Sequence, residues 1–71
     1  MQELQSVLFE KSKYTMKHAK KWLLDREIHP IDHVKEYKKY FAYKIMDGKK
    51  YHNYKILPQG LGIIFIKGVL K

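Results

Sequence analysis

One stretch of this chain, residues 16 to about 27, carries its apolar side chains at convincing helical spacing. Met16, Ala19, Trp22 and Leu23 fall within one stripe at 3.6-residue periodicity, and Lys17, Lys21 and Asp25 take the opposite side at four-residue steps. Thr15 stands where an N-cap is needed, its hydroxyl placed to accept from the free amides of the first turn. Pro30 cannot continue a helix and biases His29 toward extended geometry. The spacing predicts a single helix at about 15–28, with Met16, Ala19, Trp22 and Leu23 as its packing face. A chain with one helix has to build the rest of its core from strands.

Strand signals occupy most of the remainder. Residues 4–9 are short, apolar and followed by a polar run. Residues 31–37 and 39–47 read as two strands joined by a turn through 36–39; in the second, Phe41, Tyr43 and Ile45 alternate with Tyr40, Ala42, Lys44 and Met46. Asp47-Gly48 is a turn dipeptide, residues 51–57 form a weaker strand candidate, and Pro58-Gln59-Gly60 breaks the chain. Residues 61–70 are apolar on both faces, which predicts a strand near the middle of a sheet or covered on both sides. The expected fold is α+β: one amphipathic helix packed on a small, mostly antiparallel sheet of four to five strands, in the order β-α-β-β-(β)-β.

With 71 residues there is room for one domain, spanning 1–71. A chain of this size buries roughly 60% of its unfolded surface, and its core takes roughly fifteen to twenty apolar side chains. The 45% hydrophobic content supplies them, with little left for a deep catalytic cleft. The absence of cysteine excludes disulfides and thiolate metal sites and fits a reducing compartment. No basic, apolar leader pattern opens the chain, and the run at 63–66 is far too short to span a bilayer. The expectation is a soluble, intracellular protein that does not engage membranes.

Charge is the strongest compositional signal. Fifteen Lys and Arg against seven Asp and Glu give +8, and Arg26 is the one arginine. Lysine is a hydrated point charge, suited to phosphate backbones rather than to bidentate base reading. Such a balance points to nucleic acid, an anionic membrane or an acidic protein. The bland reading is compositional bias, with lysines keeping the surface solvated.

The chain resembles small α+β proteins of large double-stranded DNA viruses, and a module of phage head-maturation protease-type proteins. The resemblance rests on Ser6-Val7-Leu8-Phe9, on Thr15 through Trp22-Leu23, on Pro30-Ile31, on Tyr40-Phe41-Ala42-Tyr43-Lys44, and on Tyr54-Lys55 with the stretch 62–68. Ala42 departs from the basic residue that the aromatic–basic alternation of such sequences carries. The resemblance implies a viral source and a compact α+β module. It transfers no protease residues and no activity.

Catalytic patterns are missing. His29 and His33 are four apart, but Pro30 lies between them and no further ligand motif accompanies them. His33 and its neighbour Asp32 would point to opposite faces of a strand, so they make no dyad. Ser6 and Ser12 lack a nucleophile-elbow context, and Gly60-x-Gly62 is too short for a phosphate loop. Neither an enzyme, a cofactor nor a metal is expected.

Two basic surfaces remain. Tyr37, Tyr40, Tyr43, Tyr51 and Tyr54 are interleaved with Lys35, Lys38, Lys39, Lys44, Lys49, Lys50 and Lys55, the combination with which a sheet stacks bases and tracks phosphates. The competing reading is that tyrosine is a good strand former and half these rings are core. The helix offers Lys13, Lys17, Lys20 and Lys21. The candidate nucleic-acid contacts are therefore Lys13, Lys17, Lys20, Lys21, Tyr40, Lys44, Tyr54 and Lys55. The expected function is binding of backbone phosphates without strong sequence preference. The alternative is a viral protein-interaction module, a virion component or host-factor antagonist, that binds an acidic partner.

Overall fold

Side-chain alternation makes Gln2–Glu10 the central strand, β1. Val7 and Phe9 are fully buried on one face, while Ser6 and Leu8, which alternate with them, are half-buried on the other. The computed structural model describes residues 2–31, 33–48 and 51–70. Lys49 and Lys50, part of the lysine–tyrosine interleaving, and Asp32, beside His33, lie outside the described residues.

Five strands form one antiparallel sheet in the order β2-β3-β1-β5-β4, with β2 at Lys35–Glu36, β3 at Tyr40–Lys44, β4 at Tyr51–Gly60 and β5 at Ile63–Leu70. The helix, α1, spans Met16–Asp25 and packs on one face. The chain is thus an α+β fold with a small antiparallel sheet.

Phe9 organises the core. Its ring meets Tyr14, Trp22 and Tyr43 edge-on at centroid distances of 5.2, 5.6 and 5.7 Å. Such edge-to-face pairs each add about 0.5–1.5 kcal/mol beyond area burial. Ala19 and Leu23 supply the buried face of α1, Trp22 reaches Phe65 at its flank, and Phe41, Tyr43 and Ile63 complete the sheet side. Met16 does not pack as expected: it is 42% exposed, because it opens the first turn at the margin of the sheet.

The helix ends earlier than the expected 28, and not because of Pro30. Glu27 takes a left-handed φ of 57°, and the amides of Glu27 and Ile28 donate to the carbonyls of Leu24 and Leu23. This Schellman closure satisfies the last helical carbonyls after Asp25. At the other end Thr15 caps as expected, its Oγ1 accepting from the His18 amide at 3.2 Å.

The strand expected at 31–37 shrinks to Lys35–Glu36. Upstream of it, the Ile31 amide is bonded to the Lys44 carbonyl at the end of β3. The tip of the β2–β3 hairpin closes through Tyr37, whose amide donates to the Tyr40 carbonyl at 2.8 Å. β3 stops at Lys44, short of the expected 47, because the amides of Ile45 and Met46 both turn to the Gln5 carbonyl, at the irregularity of β1 between Leu4 and Ser6.

The weak candidate at 51–57 becomes the ten-residue β4, which runs through Pro58 instead of breaking there. Among the described residues β4 is an edge strand, paired only with β5, and an edge tolerates a residue without an amide proton. The turn follows at Leu61-Gly62, both at positive φ (56° and 82°), the backbone hand that a two-residue hairpin requires.

Candidate nucleic-acid interface

Alternation on β3 sorts its side chains into two sets. Phe41 and Tyr43 enter the core under the helix, so Tyr40, Ala42 and Lys44 fall on the opposite face, which no helix among the described residues covers. The register carries this face across the sheet. Lys35 opposes Ala42, Ala42 opposes Leu8, Leu8 opposes Ile64 and Ile64 opposes Pro58. In the next row Lys44 opposes Ser6, Ser6 opposes Ile66 and Ile66 opposes Ile56, with Tyr54 one pair further along beside Gly68.

Two shallow depressions, of about 280 and 470 Å³, join on this face through Ser6, Tyr37 and Ala42. The first is polar in character, with Gln5, Lys35, Lys44, His33 and Tyr54 around it; the second lies among Leu8, Tyr40 and Ile66. Neither is lined by a carboxylate. Three tyrosines therefore border one groove whose charged lining side chains are lysines.

The rings are held. The Tyr54 hydroxyl donates to the Gly48 carbonyl at 3.0 Å, and its ring meets Tyr51 edge-on at 5.9 Å while staying 45% exposed. Gln5 braces the same corner through Nε2 to the Met46 carbonyl at 3.0 Å. Tyr37 is 54% exposed at the hairpin tip.

The chain matches no family model, no curated protein and no solved structure. What the groove can hold follows from its own residues.

The structure divides the expected contacts. Tyr40, Lys44 and Tyr54 share the helix-free face. Lys55 pairs with Lys67, one residue out of phase with Tyr54 and Ile56, and so falls on the opposite face. Lys13, Lys17, Lys20 and Lys21 are exposed on the helical layer, on the other side of the sheet from the tyrosines. The lysine-rich sequence therefore folds into two separated basic surfaces. Two of the interleaved tyrosines are not available for stacking. Tyr43 is 5% exposed and donates to the Met16 carbonyl at 3.3 Å, and burial pushes its phenol above the ordinary value. Tyr51 lies buried against Gly68. Conversely, Lys35 and Tyr37 join the groove. Their signal was the hairpin itself: pairing 35–36 with 41–42 brings Lys35 onto the Ala42 row and turns the chain at Tyr37. Among the described residues no group of three or more His, Asp or Glu is placed to hold a metal ion, and no helix is long and apolar enough to cross a membrane.

Proposed function

We propose that this chain binds single-stranded nucleic acid on the helix-free face of its sheet. Tyr37, Tyr40 and Tyr54 stack bases, and Lys35 and Lys44 contact phosphates. The observation that carries this reading is the joined groove free of lining carboxylates, with accessible tyrosines and lysines on one face. Every base has a π-face, so stacking tolerates any sequence, and lysine adds phosphate attraction without reading base edges. The Tyr54 hydroxyl bond fixes its ring before a ligand arrives, which lowers the ordering cost of binding.

The test is fluorescence anisotropy with single- and double-stranded oligonucleotides across a salt series. Tyr40→Ala and Tyr54→Ala should each cost about 1–3 kcal/mol on single strands and far less on duplex. Lys44→Ala should weaken all single strands alike and lower the slope of log affinity against log salt by about 0.7. Absence of binding at 50 mM salt sinks the proposal.

A protein partner is the second reading, and β4 supports it. This edge strand is ten residues long, has β5 as its one partner in the sheet and carries Ile56 at 68% exposure. An extended segment of an acidic protein would add to that edge. Its affinity would change far less with salt than counterion release demands of a nucleic acid.

A further inference from the structure

A second concavity lies on the other side of the sheet, where the flank of α1 leaves a cleft against the chain that returns from it. The cleft has a volume of about 540 Å³, within the range of small-molecule sites. Its walls are Leu23 and Leu24 of α1, Ile28 and Pro30 after it, and Val34 and Tyr43 opposite. Met16 and Leu24, 42% and 55% exposed, form part of its margin. Lys17 and Lys20 stand on the same flank, and no carboxylate is among the lining residues.

We infer that this cleft binds an anionic amphiphile, a hydrocarbon chain with an anionic head. The walls offer mainly apolar contact; besides the two lysines, the polar side chains among them are the exposed His33 and the Tyr43 phenol. The one phenol there, Tyr43, already donates to the Met16 carbonyl. Among the described residues no buried side-chain polar atom lacks a partner. An occupant that carries polar groups along its length would lose their hydration without replacement, so the buried part of the ligand is hydrocarbon. The head meets the exposed Lys17 and Lys20 at the rim, so it is an anion. A neutral lipid leaves those charges unused, and a cationic one is repelled.

Apart from His33, which lines both, the cleft and the sheet groove share no lining residue, so the two proposals are tested on different side chains and fail independently. The experiment is a titration of the isotope-labelled protein with dodecanoate, dodecanol and dodecyltrimethylammonium below their aggregation concentrations, followed by amide chemical shifts. Saturable one-to-one shifts confined to residues 16–34 and Tyr43, with dodecanoate at least tenfold tighter than dodecanol at low salt, are the expected result. Lys17→Glu with Lys20→Glu should erase the preference for dodecanoate while leaving the melting temperature in place, since both side chains are exposed. Leu24→Asp, also at an exposed position, should abolish binding of dodecanoate and dodecanol. Equal affinity for dodecanoate and dodecanol, shifts centred on the sheet groove, or tighter binding of an acidic amphipathic peptide in the same cleft would each overturn the assignment.

Discussion

Glu27 and Leu61 are L-residues in the left-handed region, at φ 57° and 56°. That region costs a side chain with a Cβ about 1–2 kcal/mol. Glycine avoids the clash but loses more freedom on folding, so the net gain is smaller. Glu27→Gly should raise stability by about 0.5–1 kcal/mol, visible as a rise of several degrees in melting temperature, at about 4–8 °C per kcal/mol for a domain this small. Leu61→Asn should act in the same direction, because asparagine suits the first position of such a turn and Leu61 is 81% exposed. A lower melting temperature for both variants contradicts the assigned backbone. Tyr43 sets an alkaline limit. Burial raises its folded pKa above that of the unfolded chain, so above about pH 10 the unfolded state sheds the proton first and stability falls with rising pH until the folded phenol also ionises. In Tyr43→Phe this component disappears. Denaturant titrations of both proteins between pH 8 and 11 measure it, and parallel curves would show that Tyr43 is not the cause.

At the scale of elements, the β4–β5 hairpin is fastened by an aromatic ring on a glycine. A Cβ at Gly68 would sit 2.4 Å from Cγ of Tyr51. Gly68→Ala must push that ring away, and with it the hydroxyl that reaches the Glu3 carboxylate at 3.3 Å. The expected cost is about 1–3 kcal/mol, the range for overpacking. Because Tyr51 also meets Tyr54 edge-on, the same substitution should loosen the Tyr54 ring and weaken single-strand binding. Melting curves and anisotropy on one variant read both effects. Helix and sheet are joined chiefly through Phe9, Trp22 and Leu23. Trp22→Ala should cost about 3–5 kcal/mol, much of the stability available to a domain this small. A circular dichroism melt unchanged from the unmodified protein would remove Trp22 from the core.

The whole molecule is two layers with different outer surfaces. The sheet groove has tyrosines beside lysines, while the helix carries lysines and no exposed aromatic ring. The two surfaces therefore predict different ligands. Lys17→Glu with Lys21→Glu reverses the helix face and leaves the groove intact. Under the sheet-face proposal this variant should keep most of its single-strand affinity, losing only the long-range attraction that salt screens. If it instead loses duplex and single-strand binding alike, while Tyr40→Ala loses neither, the helix is the contact surface.

The residues alone determine a good deal. The helix was legible because its apolar stripe is one of amphipathic spacing, and Thr15 marked its start. The alternation of β3 was legible, Phe41 and Tyr43 against Tyr40 and Lys44, but not which of the two sets faces the core. The basic, cysteine-free composition was plain. The helix end was not legible, since it depends on Glu27 adopting a backbone hand that glutamate rarely takes. The strand through Pro58 was not legible either, because a proline is tolerated there only at a sheet edge, and a local pattern does not reveal which strand becomes an edge. Above all, the pattern could not divide the lysines and tyrosines. Tyr43 and Tyr51 became core, Lys55 turned to the far face, and Lys35 with Tyr37 came to the groove. Those outcomes depend on register and strand order, set by long-range pairings between segments tens of residues apart, which only the tertiary structure decides.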